Sequence, residues 1–133
     1  MKTFHIVAGL DGSVHGEVAA AWARALATRI GAEVITVHAR GMREHGAVDM
    51  PDGVTVEDGD PVSVLLRVAE EVSADLIVVG RRGSGGNPDL RLGSTSHQLA
   101  ERAPCPVVIV PPEADTDDSV SYTHLTLPTN REV

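Results

Sequence analysis

Residues 75–95 read DLIVVGRRGSGGNPDLRLGST. The apolar run Leu76, Ile77, Val78, Val79 stops at Gly80, as a parallel strand buried on both faces does. Glycines recur at 83 and 93, Ser94 and Thr95 follow, and residues 96–103, SHQLAERA, read as a helix. The glycines therefore lie in a loop that leaves the carboxyl end of a strand and enters the amino end of a helix. In open α/β sheets, ligands bind beyond the carboxyl ends of strands, where strand order reverses. A helix amino end carries unpaired N–H groups and partial positive charge, which suits a phosphate. Glycine lets the backbone approach an anion closely. Ser94 and Thr95 add hydroxyl donors, and Arg81, Arg82 and Arg91 add cations. The functional reading is a polyphosphate cradle; the bland one is a glycine-rich surface loop with a serine cap.

Upstream, Phe4 to Ala8 forms a short apolar run before the turn Gly9-Leu10-Asp11-Gly12-Ser13, with Ser13 placed to cap a helix. Val18, Trp22, Leu26 and Ile30 recur every four residues and predict a helix with one apolar stripe, stopped by Gly31. A second strand is expected over residues 33–38. Residues 40–53 show no helical period and read as a loop. Residues 54–57 alternate like an edge strand. Asp60 and Pro61 then start a helix as cap and first residue, with Val62, Leu65, Leu66, Ala69 and Val72 on its buried face. Pro104-Cys105-Pro106 ends the helix after the cradle, and residues 107–110 form a last strand. Strands alternating with helices imply a parallel sheet with right-handed crossovers.

A chain of 133 residues makes one domain. It is 42% apolar but holds a single Trp, Tyr and Phe, so its core must be built of Val, Leu, Ile and Ala. The net charge of −8 argues against nucleic acid as a partner. With Cys105 as its one cysteine, it can form no internal disulfide. No apolar run approaches the roughly 20 residues that span a bilayer, and the start lacks a signal-peptide core. The expected location is the cytoplasm.

The spacing Gly80-x2-Gly83-x9-Gly93-Ser94-Thr95 resembles the ATP-binding signature of the universal stress proteins. Residues 102–111, RAPCPVVIVP, resemble the end of that family's domain. The likeness covers residues 3–112, within a domain taken as 1–112. It implies a single-domain α/β fold of the Rossmann-like, adenine nucleotide alpha hydrolase-like kind. Its five-stranded parallel sheet, in order 3-2-1-4-5, would be sandwiched by helices and would put strands one and four at the switch point. It further implies ATP as ligand, with Mg²⁺ on the phosphates, and a homodimer joined along residues 107–110. Carried over residue by residue, the nucleotide contacts are Gly9, Leu10, Asp11, Ala39, Gly80, Arg81, Gly83, Gly93, Ser94 and Thr95. Asp11 matches an acid near the ribose and the metal, although an Asp before Gly is also a common turn former. Ala39 matches a position whose backbone meets the adenine edge. The chain departs from the family between strands two and three, where about 14 residues leave the usual helix shortened or missing. Either a single turn around Arg43 to Gly46 covers the sheet there, or one face is partly bare.

The loop is not a Walker loop, since no Lys follows Gly93, and the first turn lacks G-x-G-x-x-G. None of the six histidines pairs with another at metal-ligand spacing on a helix; His38 is expected to pack at a strand end. No nucleophile with an adjacent base is visible. The expected output is nucleotide-dependent regulation in stress response. A slow ATPase or self-phosphorylating protein acting through Ser94 or Thr95 is one rival, and a dimeric interaction module with an empty pocket is another. Residues 113–133 are read as an acidic tail. Within it, residues 120–133 are excluded from the fold, because VSYTHLTLPT resembles one translated frame of a transposon-derived sequencing adapter. The alternative is a genuine tail whose Leu125 and Leu127 pair with a sheet edge.

Overall fold

Each apolar run becomes a strand of one sheet. The computed structural model describes residues 3–11, 14–40, 53–81, 94–111 and 124–126. The elements are β1 (His5–Leu10), α1 (Val14–Ile30), β2 (Glu33–Arg40), β3 (Val54–Asp58), α2 (Pro61–Glu71), β4 (Leu76–Gly80), α3 (Ser94–Arg102), β5 (Val107–Val110) and β6 (His124–Thr126). The first five strands are parallel in order β3-β2-β1-β4-β5, as the resemblance implied. A sixth strand, β6, adds antiparallel to β5, with Val108 opposite Leu125. Leu125, in the stretch excluded from the fold, thus pairs with a sheet edge, while Leu127 falls outside the described residues. No helix lies between β2 and β3 among the described residues; residues 41–52, with the turn expected around Arg43 to Gly46, fall outside them.

Two apolar layers flank the sheet. One joins Val7, Val37, Ile77, Val79, Val107 and Ile109 to α2 and α3. The other joins Ile6, Ala8, Val78, Val108 and Val110 to α1. The alternation of neighbouring residues between layers is the period-2 geometry of strands covered on both faces.

Helix α1 seats itself differently from the stripe expected of it. Ala19, Ala23 and Ala27 meet the sheet, Val18, Trp22 and Leu26 flank them partly buried, and Ile30 is 48% exposed. Alanines let the helix axis approach the strands closely, so the large residues fill the sides of the contact instead of its centre. Gly31 stops the helix at φ 72, where both Gly31 and Ala32 donate to the Ala27 carbonyl.

Helix α2 starts as its sequence dictates. The Asp60 carboxylate accepts from the Ser63 amide at 3.0 Å and from its hydroxyl at 3.1 Å, with Pro61 in the first turn. Its buried face holds Val62, Val64, Leu65, Val68 and Ala69; the expected Leu66 and Val72 are only partly buried.

At the amino ends of the strands, His5 and Asp75 staple β1 to β4. The Asp75 amide donates to the His5 carbonyl at 2.8 Å, and the His5 amide donates to the Asp75 carboxylate at 3.0 Å. Cys105 is buried nearby; burial first, then the Asp75 carboxylate, push its thiol from 9.0 up to about 11. The folded thiol therefore holds its proton after the unfolded one has lost it. The resulting stability is intact below pH 9 and is lost as pH rises toward 11. Urea unfolding should show a loss of about 2 kcal/mol over that range beyond the loss in Cys105→Ala. Equal slopes in the two chains would contradict this.

Candidate functional site

The carboxyl ends of β1 and β4 lie side by side, with Ala8 paired to Val78 and Gly80 two residues further on. β1 leads to β2 on one side of this point and β4 leads to β5 on the other, so it is the switch point of the sheet. Asp11 follows directly after β1 and is exposed there. Its Oδ1 lies 2.8 Å from where a Cβ on Gly16 would stand. The carboxylate thus folds back over the first turn of α1, and the buried Gly16 leaves room for it. This adds a packing reason for both residues beside the ribose-side role implied for Asp11.

Gly9 is also explained by packing. A Cβ there would come within 3.0 Å of Leu65 Cδ1 and 3.3 Å of Val79 Cγ1, so its missing side chain lets α2 settle on the sheet beneath the switch point. The buried Leu10 lends its carbonyl to His38 Nδ1 at 2.8 Å. A carbonyl only accepts, so Nδ1 carries the proton. His38, 3% exposed, packs at a strand end as expected and ties the ends of β1 and β2 together. Ala39 pairs with Glu57 one residue beyond the paired end of β1 and is partly buried. Next to it, Arg40 holds Asp58 on β3 through Nε at 2.8 Å and a terminal nitrogen at 2.7 Å.

On the far side, Gly80 ends β4, and the Arg81 amide continues the ladder to the Val110 carbonyl at 3.1 Å. Arg81 is half-buried there. Helix α3 begins at Ser94, two residues earlier than its sequence suggested, so Ser94 and Thr95 lie in its first turn. The amides of that turn have no partner within the helix. The position that sequence reading passed over is Ser96. Its side chain is 3% exposed, and its hydroxyl donates to the Gly80 carbonyl at 2.6 Å. The signal was a third hydroxyl residue directly after Ser94 and Thr95. Gly83, Gly93, Arg82 and Arg91 fall outside the described residues, as do Gly12 and Ser13. The Ser96 hydroxyl nevertheless joins α3 to Gly80, which lies two residues past the Ala8–Val78 pair.

A helix start held to the end of a strand is chemically suited to an anion, since first-turn amides carry partial positive charge. Among the described residues, no group of three or more His, Cys, Asp or Glu could hold a metal ion, and no helix is long and apolar enough to cross a membrane.

Residues 51–111 match the model of the "Universal stress protein family". A universal stress protein of Thermus aquaticus is 34% identical over 132 residues, covering 79% of this chain and 96% of the relative. Since 79% of the chain is about 105 residues, the relative holds residues that this chain lacks. Other curated relatives match over less of their own length, 31% of a universal stress protein of Methanocaldococcus jannaschii and 46% of a stress response protein of Bacillus subtilis. Among solved structures, a universal stress protein in complex with cAMP is similar at TM-score 0.65 and 29% identity, covering 85% of this chain and 100% of that one. The universal stress protein UspA from Lactobacillus plantarum is similar in fold at TM-score 0.70 and 18% identity, with 83% and 99% covered.

Proposed function

The chain belongs to the universal stress protein family, and from that premise we propose that it binds ATP, with Mg²⁺ on the phosphates, in the crevice beyond the carboxyl ends of β1 and β4. The observation that carries the reading is the Ser96–Gly80 bond, which draws the amino end of α3 onto the switch point. Gly80, Ser94 and Thr95 would meet the phosphates there, together with Gly83 and Gly93 of the intervening loop. Asp11 would meet the ribose, and the Ala39 backbone the base. The nucleotide would act as a regulator's signal in stress response within the cytoplasm.

Two measurements test this. Nucleotide released from the denatured, freshly purified chain should be adenine nucleotide, and calorimetry should show ATP binding. No binding at millimolar ATP would leave an interaction module as the better reading. The cAMP-bound relative favours a second reading in which the ligand is a cyclic nucleotide. Titrating cAMP beside ATP separates the two, because a cradle built for a phosphate chain favours the triphosphate. Single-turnover assays with radiolabelled ATP address chemistry. Hydrolysis lost in Asp11→Asn would favour an ATPase.

A homodimer along the outer edge of β5 belongs to the same proposal. That edge is held by β6 in the single chain, so a second copy can pair there only if β6 gives way. Ordering each residue of β6 costs about 1–2 kcal/mol, while each hydrogen bond returns about 0.5–1.5 kcal/mol net. β6 therefore adds little stability. Truncation after Pro112 should leave the Tm within a few degrees and raise the dimer fraction in analytical ultracentrifugation. A monomeric truncated chain at high concentration would count against the β5 interface.

A further inference from the structure

Helix α3 spans nine residues, too few to persist without tertiary contacts. Ser96 and Leu99 in the helix and Ala103 just after it are buried at helical spacing and hold it to the sheet. Of the three, only Ser96 is polar. A buried hydroxyl is costly unless bonded, and this one is bonded to the main chain of β4.

The direction of that bond matters. The Ile77 amide donates to the carbonyl of Pro106, just before β5, and the Arg81 amide to that of Val110 at its end. Alternation along a strand then turns the Gly80 carbonyl away from β5, toward β1. The β1–β4 register ends at Ala8 and Val78, short of Gly80. The Ser96 hydroxyl thus reaches the last residue of β4 on the side that opens into the switch-point crevice. It also joins the two ends of the chain segment that departs at Gly80 and returns at Ser94.

We propose that Ser96 is a positioning residue: its bond to the Gly80 carbonyl fixes the first turn of α3 against the end of β4, and so sets where the amides of that turn stand for a nucleotide's phosphates. The bond acts without Ser96 itself touching the ligand. The proposal rests on the ATP-binding reading, so the test has one arm with nucleotide and one without. Ser96→Ala removes the hydroxyl at nearly constant volume; Ser96→Thr keeps it.

Without ligand, hydrogen exchange of the α3 amides should quicken in Ser96→Ala and return toward the original rate in Ser96→Thr, with β1 and β4 unchanged. With ligand, Ser96→Ala should weaken ATP roughly tenfold, as loss of one buried hydrogen bond would. Adenosine, which lacks phosphates, should be affected far less, and Ser96→Thr should restore ATP binding. A merely structural role would shift ATP and adenosine together. Unchanged α3 exchange in Ser96→Ala overturns the clasp, and equal losses for ATP and adenosine overturn its link to the phosphates. If the unaltered chain binds no ATP, the functional reading falls and takes the phosphate role of Ser96 with it, while the exchange arm still decides the clasp.

Discussion

Gly83→Val is expected to weaken ATP binding by at least about a hundredfold while the domain stays folded. Gly83 lies two residues past Arg81, in the loop between β4 and α3. In the proposed cradle, the backbone there approaches the phosphates with nothing between. A valine puts three carbons into that space. Calorimetry against ATP reads the affinity, and a thermal melt without ligand reads the fold. Saturating ATP should raise the Tm of the original chain and not that of the variant, since a ligand stabilises only the state it binds. Unchanged affinity in Gly83→Val would contradict the cradle.

Leu99→Ala is expected to have the largest effect on stability. Leu99 is fully buried and is the main apolar anchor of α3. Truncating a buried leucine to alanine costs about 2–5 kcal/mol, through lost transfer energy and the cavity left behind. For a domain of this size, the Tm should fall by roughly 10–20 °C. Because α3 carries the first-turn amides of the site, ATP affinity should fall as well, at temperatures where the chain is still folded. Leu99→Met, which nearly conserves volume, should cost less than about 1.5 kcal/mol and retain binding. A Tm loss of only a degree or two in Leu99→Ala would mean that α3 is held by something other than this side chain.

What the sequence determined by itself was local. Unbroken apolar runs marked β4 and β5, and a nearly apolar one marked β1, because strands covered on both faces have few polar positions to spare. Asp60 and Pro61 marked the start of α2, and Gly31 the end of α1, because caps are chosen by backbone geometry within a few residues. The glycine spacing around Gly80 marked the loop where a site was expected. The strand order came from the family likeness, since nothing local dictates which strands become neighbours. Only the tertiary structure decided which face of α1 meets the sheet: alanines pack closest, and periodicity cannot tell a contact line from its flanks. It alone joined Ser96 to Gly80, His38 to Leu10 and Asp11 to the surface of Gly16. The first two link residues 16 and 28 apart, which folding and not spacing along the chain brings within hydrogen-bond range. Likewise the pairing of β6 with β5 follows from an exposed row of backbone donors and acceptors, which accepts an extended segment of almost any sequence.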